Sequence, residues 1–129
     1  ERGSRVPVEF TLDHENRLVI ATAHGRVLLQ EVLDYFDAVT INHAASYAKL
    51  FDASEMEPQL SDDDVMVLGA RVSAYAAYDP RGAVAAVATT AEAREAVRRY
   101  MNFAGAKRPM QMFTSVDEAR AWLLGQSPA

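Results

Sequence analysis

Strand-like and helix-like hydrophobic patterns alternate along almost the whole chain, and this alternation constrains the fold more than any other feature. Apolar residues recur at every second position in residues 7–12, and residues 18–23 form a β-branched run after a polar stretch, which predicts an antiparallel hairpin. Three shorter strands are predicted further on, separated by helical patterns: residues 49–53, 83–88 and 110–113. Strands that alternate with helices favour a mostly parallel sheet with right-handed connections.

Four helices are predicted where apolar residues recur at spacings of three and four. The first begins near Leu28, and the others follow residues suited to capping a helix N-terminus, namely Ser61, Thr89 and Ser115. The expected inner faces of the second and third helices are Val65, Leu68, Val72, Tyr75 and Ala76, and Ala93, Val97, Tyr100, Met101 and Ala104. Residues 83–88 are apolar throughout, which predicts a central strand that is buried on both faces.

The predicted fold class is therefore α/β, with a single mixed, mostly parallel sheet, an N-terminal antiparallel hairpin and about four helices. A chain of 129 residues matches one domain, in which residues 1–5 and 125–129 are expected to be frayed tails. The absence of cysteine excludes disulfides and thiolate chemistry, and it suits the cytoplasm, which is the predicted location.

Charge and hydropathy argue against two classes of partner. The chain has 13 basic and 18 acidic side chains, and the resulting formal charge of -5 disfavours binding to nucleic acid. Its longest strongly apolar stretch, residues 82–88, is too short to cross a bilayer, so no membrane insertion is expected.

Three phrases in the sequence resemble those of a known family. They are Gly25-Arg26-Val27 before the first helix, Leu50-Phe51-Asp52-Ala53 in the third strand, and Met112-Phe113-x-x-x-Asp117-Glu118-Ala119-x-x-Trp122-Leu123 at the end of the chain. Together with the opening hairpin, they resemble the STAS-like family, in the branch similar to sporulation anti-anti-sigma factors and CRAL-TRIO domains. The resemblance covers nearly the whole chain and implies a STAS-like fold with a regulatory, protein-binding role.

The same resemblance draws attention to Ser61, because phospho-regulated members of the family carry a phosphorylated serine at the start of the helix after the third strand. Their usual phrase is close to Asp-Ser-Ser-Gly, whereas Ser61 is followed here by Asp62, Asp63 and Asp64. A phosphate would be repelled by these carboxylates, since phosphoserine adds nearly two negative charges at neutral pH. Helix capping by Ser61 is therefore favoured over a phosphorylation switch.

No pattern for catalysis, metal binding or cofactor binding is recognisable in the sequence. His14, His24 and His43 have no second ligand at metal-binding spacing, and the glycines are scattered, so no phosphate-binding loop is predicted. Asp52 and Ser54 are the best-placed polar pair, because the carboxyl ends of parallel strands are where open α/β sheets bind ligands. A local cap of the following turn by Asp52 is the favoured interpretation of that pair.

The leading hypothesis is a non-enzymatic protein-interaction module that needs no cofactor or metal and binds another protein, or itself as a homodimer. Its candidate partner-binding or phospho-switch residues are Asp52, Ser54, Ser61 and Asp62. The alternative is a binder or carrier of a small apolar ligand, held in a pocket between the helices and the sheet. Its candidate pocket residues are Tyr75, Tyr78, Tyr100 and Met101.

Overall fold

Five strands and four helices alternate in the residues that the computed structural model describes, which are 7–76, 82–104 and 109–126. In chain order they are β1 (Val8–Asp13), β2 (Leu18–Val27), α1 (Leu29–Ile41), β3 (Ala48–Pro58), α2 (Asp62–Ala76), β4 (Val84–Val87), α3 (Ala91–Ala104), β5 (Met110–Phe113) and α4 (Val116–Gly125). Among the described residues, no helix is both long enough and apolar enough to pass through a bilayer.

The strands form one sheet in the order β1-β2-β3-β4-β5. β1 and β2 pair in antiparallel fashion, with Val8 opposite Ala23, and the other three pairings are parallel. The predicted mixed, mostly parallel sheet with an N-terminal hairpin is therefore confirmed. β4, which was predicted to be central, lies between β3 and β5, while β3 occupies the middle of the sheet.

The order of the strands also explains how the helices are distributed. Because β2, β3, β4 and β5 are added in one direction, right-handed connections place α1, α2 and α3 on the same face of the sheet. The first core lies there and contains Val32 of α1, Leu68 of α2 and Val97 of α3. α4 follows the last strand and packs on the opposite face, where Leu50 and Leu123 belong to a second, smaller core.

β2 and β3 are longer than predicted. β2 continues to Val27 instead of ending at Ala23, and β3 continues to Pro58 instead of ending at Ala53. The extra residues pair with each other, from His24 opposite Glu55 to Val27 opposite Pro58, beyond a bulge at Thr22 and His24. They were missed because this segment is largely polar, so that pairing between the two strands, and not an apolar pattern, holds it extended.

Helix capping agrees with the prediction at two of three sites. Ser61 Oγ accepts the backbone N–H of Asp64 at 3.1 Å, and Ser115 Oγ accepts that of Glu118 at 3.3 Å. At α3, however, the cap is Thr90 and not Thr89, since Thr90 Oγ1 accepts the N–H of Ala93 at 3.1 Å. The start of α3 is displaced by one residue because Ala88 still bonds to Phe113 of β5.

The hairpin turn is fastened to the loop that precedes β3. Nδ1 of His14 lies 2.7 Å from the hydroxyl of Tyr47, and the guanidinium of Arg17 lies over the Tyr47 ring and donates to Ser46 Oγ at 2.8 Å. We call residues 14–17, residues 44–47 and Gly82, which packs on the same loop, the Tyr47 corner. Within the turn, hydrogen bonds from the side chain and backbone N–H of Asn16 hold the pKa of Asp13 below its ordinary value.

Candidate functional site

A cavity of about 120 Å³ lies between the sheet and the layer formed by α1, α2 and α3. Strands β3, β4 and β5 and helices α1, α2 and α3 all contribute to its wall. The described residues that line it are Val32, Tyr35, Phe36, Val39, Lys49, Phe51, Met56, Leu60, Leu68, Val84, Ala86, Ala96, Val97, Tyr100 and Met110. The wall is thus almost entirely apolar, as is typical of sites for small organic ligands.

The cavity is formed where small side chains of the wall leave space between larger ones. Ala86 of β4 and Ala96 of α3 line it, and alanine leaves space where a larger aliphatic side chain would fill the core. On the other side, aromatic rings form a connected wall, with ring centroids 5.7 Å apart for Tyr35 and Phe51 and 6.2 Å apart for Phe36 and Tyr100. Both distances lie in the range at which contacts between aromatic rings are favourable.

Lys49 is the one charged side chain among the described residues of the cavity wall. It is only 8% exposed, and its ammonium group donates to the backbone carbonyls of Ala45 at 2.7 Å and Tyr47 at 2.8 Å. Lysine is almost never buried in this way without specific partners. These two carbonyl groups therefore hold the ammonium group in a defined position.

Lys49 was not predicted as a site residue, although the sequence contains a signal for it. In β3 the side chains of Lys49, Phe51 and Ala53 point to the same face by strict alternation, and Phe51 and Ala53 belong to the first core. The alternation of the strand placed Lys49 inward, whereas its charge alone suggested an exposed position.

The predicted pocket residues have different positions in the structure. Tyr100 lines the cavity, and Met101 is partly buried and packs against the first core outside the cavity wall. Tyr75 belongs to α2, but its side chain is not among those described, and Tyr78 lies outside the described residues.

The four candidate residues for partner binding form two separate groups. Asp52 Oδ1 accepts the backbone N–H of Ser54 at 3.0 Å and its hydroxyl at 2.7 Å, the local contact of a turn-like cap. Because β3 continues to Pro58, this pair lies within the strand and not at its carboxyl end as predicted. Ser61 and Asp62 begin α2, where Asp62 bonds to Nη1 of Arg99 at 2.5 Å.

The side chain of His24 lies between two carboxylates, and this contact could not be inferred from the residues next to it in the sequence. Its Nε2 is 3.4 Å from Glu9 on β1, and its Nδ1 is 3.5 Å from Glu55 on β3. Each carboxylate faces a different ring nitrogen, which is the geometry of cross-strand pairing and not of chelation. In residues 7–76, 82–104 and 109–126, no cluster of three or more His, Asp or Glu side chains is arranged to hold a metal ion.

A solved structure with the same architecture is an uncharacterized protein of the DUF3478 family from Shewanella loihica PV-4, which has a SpoIIAA-like fold. It superimposes with a TM-score of 0.62 at 16% sequence identity, and the match covers 95% of this chain and 98% of that one. No protein-family model and no curated protein matches this chain significantly. The likeness confirms the STAS-like fold that the sequence predicted.

Proposed function

We propose that this STAS-like domain is a non-enzymatic binding module that holds a small apolar molecule in the cavity between α1, α2, α3 and the sheet. The cavity itself is the observation that supports this proposal, because well-packed interiors contain few voids larger than a water molecule. Its volume of about 120 Å³ is similar to that of an engineered apolar cavity in another protein, about 150 Å³, which binds benzene. A ligand with a hydrocarbon body of about that size fits the space.

Filling the cavity is expected to weaken ligand binding without unfolding the protein. In Ala96→Leu, three additional carbon atoms occupy space inside the wall of α3, so we expect the affinity for a neutral probe such as indole to fall about tenfold or more. Binding is followed by NMR titration, through the methyl signals of Val97 in the cavity wall. The matched control is Ala91→Leu, which adds the same atoms at an exposed position of α3.

Indole binding that is equal in Ala96→Leu and in the control would show that the probe occupies another place. Failure of the wild-type protein to bind indole, p-xylene and benzene at millimolar concentration would contradict the proposal altogether.

A second candidate function is protein binding by the outer face of α2. Met66 and Val67 on this helix are 52% and 43% exposed, and Ala70 and Ala74 lie one and two turns further along the same face. Two large apolar side chains in water beside a row of small ones give a surface suited to packing against another protein. This face begins next to Ser61 and Asp62, two of the partner-binding candidates.

For this second candidate, cross-linking in the native host should map a partner to α2. Met66→Glu together with Val67→Glu is expected to remove about nine-tenths of those cross-links, because both changes place a charge in the contact area. Leu124→Glu on α4, where Leu124 is 71% exposed, serves as the control and should leave them unchanged. To distinguish a second copy of this chain from a different protein, isotope-labelled and unlabelled protein are mixed before cross-linking. Cross-links between a labelled and an unlabelled chain would identify the partner as a second copy. Cross-links that survive the double substitution would exclude the α2 face.

A further inference from the structure

Part of the sheet face that carries α4 has no helix packed mainly upon it, as far as the described residues show. α4 packs mainly on β3, β4 and β5, whereas α1, α2 and α3 lie on the other face. The sheet register places Glu9 of β1, Thr22 of β2 and Asp52 of β3 side by side. Val87 of β4 continues this row and belongs to the second core under α4. The strip from β1 to β3 is therefore an extension of the surface on which α4 packs.

This strip, which we call the hairpin face, has uncharged side chains at its centre and carboxylates around them. Thr11 in the centre is exposed, and Ile20 and Thr22 beside it are half-buried. Along β2, Thr22, His24 and Arg26 alternate to the same side, with Glu55 and Glu57 as neighbours of the last two. The acidic residues on this side of the three strands are Glu9, Asp13, Asp52, Glu55 and Glu57. An uncharged centre within a charged rim is the general plan of a protein interface.

The charge of the hairpin face determines which kind of partner suits it. Its five carboxylates outnumber the basic side chains of His24 and Arg26. In a symmetric dimer the same patch would meet itself, and the carboxylates of the two copies would repel each other. Nucleic acid is disfavoured for the same reason, because its phosphates are negatively charged. A protein partner with lysine or arginine side chains complements the rim.

The dimensions of the hairpin face match those of one α-helix. Neighbouring strands lie about 4.8 Å apart, so the strip from β1 to β3 is about 10 Å wide, close to the diameter of a helix. α4 already packs across β3, β4 and β5, which have the same width. The six residues of β1 extend over about 20 Å, the length of a helix of about 13 residues. One further helix can therefore lie on this strip beside α4.

We infer that the hairpin face binds a basic amphipathic helix of another protein, which lies beside α4 on the same side of the sheet. The apolar side chains of this helix contact Ile20 and the methyl groups of Thr11 and Thr22, and its lysine or arginine side chains reach the carboxylates of the rim. The surface is on the opposite side of the sheet from the cavity and from α2, so the inference does not depend on the proposed function.

The test uses a 14-residue probe peptide in which leucine and lysine are arranged with helical periodicity. A second peptide has glutamate in place of every lysine. NMR titration of the isotope-labelled protein at low salt measures the affinity for each peptide and locates its binding. We expect the basic peptide to shift the amide signals of Thr11, Ile20 and Thr22, and the acidic peptide to bind at least about tenfold more weakly.

Two double substitutions with the same change in net charge show whether the position of the charges matters. Glu55→Lys together with Glu57→Lys reverses two exposed charges of the rim, and it should weaken binding of the basic peptide about tenfold or more. Asp34→Lys together with Glu92→Lys does the same at exposed positions of α1 and α3, on the other face, and should weaken it less than about threefold.

Three outcomes would overturn the inference. Equal losses of affinity in the two double variants would show attraction to net charge alone, and peptide-induced shifts centred on α1, α2 or α3 would place the binding elsewhere. A dimer in sedimentation experiments that Glu55→Lys with Glu57→Lys alters would identify a second copy as the occupant. Thr11→Arg, which puts a positive charge at the exposed centre, should weaken binding of the basic peptide as strongly as the rim variant, and it decides the matter if the rim variant does not fold.

Discussion

Replacement of Gly82 by alanine is expected to reduce the free energy of unfolding by about 3 kcal/mol, at the upper end of what overpacking costs. A methyl group at this position would lie 2.3 Å from the carbonyl oxygen of Tyr47, 2.6 Å from its carbonyl carbon and 2.7 Å from the carbonyl oxygen of Ser46. All three are backbone atoms, so no side chain can move aside to relieve the contact.

The backbone that Gly82 touches is also fixed by hydrogen bonds. The carbonyl of Tyr47 accepts from Lys49 at 2.8 Å, the N–H of Tyr47 donates to Ala44 at 3.0 Å, and the N–H of Lys49 donates to Ala83 at 2.9 Å. Relief of the clash therefore requires β4 to move away from the Tyr47 corner, at the expense of its first contacts with β3.

Equilibrium unfolding in urea measures the effect on stability, provided that the slope of the transition is the same for both proteins. Gly125→Ala is the matched control, because a methyl group there has no neighbour within 4 Å, and alanine is favoured over glycine in a helix. A Gly82→Ala protein as stable as this control would show that the loop moves freely, which contradicts the tight packing of the Tyr47 corner.

Leu50→Ala is expected to lower the free energy of unfolding by a similar amount, about 3 kcal/mol. Leu50 is 1% exposed and lies in the second core, where Leu123 of α4 is also buried. Its truncation removes buried methyl groups and leaves a void that one helix can only partly close. The cost combines the lost transfer free energy with the cavity that remains.

The control for Leu50→Ala is Leu124→Ala on α4, since Leu124 is 71% exposed and its truncation should change stability by less than about 0.5 kcal/mol. Urea unfolding followed by fluorescence is suitable, because Trp122 packs against this core. A small loss in Leu50→Ala would mean that α4 contributes little to the stability of the domain. The fold would then not depend on the second core for its stability.

The architecture was predictable because its main elements carry local signals. Each of these signals depends only on residues a few positions apart, and each is confirmed. They are the alternation in residues 7–12, the apolar run at 83–88 and the caps at Ser61 and Ser115. The ends of β2 and β3 carried no such signal. His24 to Val27 and Glu55 to Pro58 are extended because each segment pairs with the other, and a single sequence does not show which distant segments meet.

The candidate site was less predictable for a related reason. Ala86 and Ala96 each look like ordinary core residues in the sequence, and only their approach in space produces the cavity. The same helical spacing selected Tyr100, which lines the cavity, and Met101, which packs against the first core outside the cavity wall. Lys49 was missed because its charge suggested an exposed position, although the alternation of β3 places it on the same face as Phe51 and Ala53.

The sequential order of the strands has a consequence for synthesis on the ribosome. Since β1 to β5 stand in the sheet in the order in which they are translated, each new strand joins an open edge, and none must be inserted between strands already in place. The face that carries Leu50, Ala85 and Val87 is different, because α4, which covers it, follows all five strands in the chain. Until α4 leaves the exit tunnel, this apolar surface is open to solvent, and it is there that a nascent chain would need protection by a chaperone.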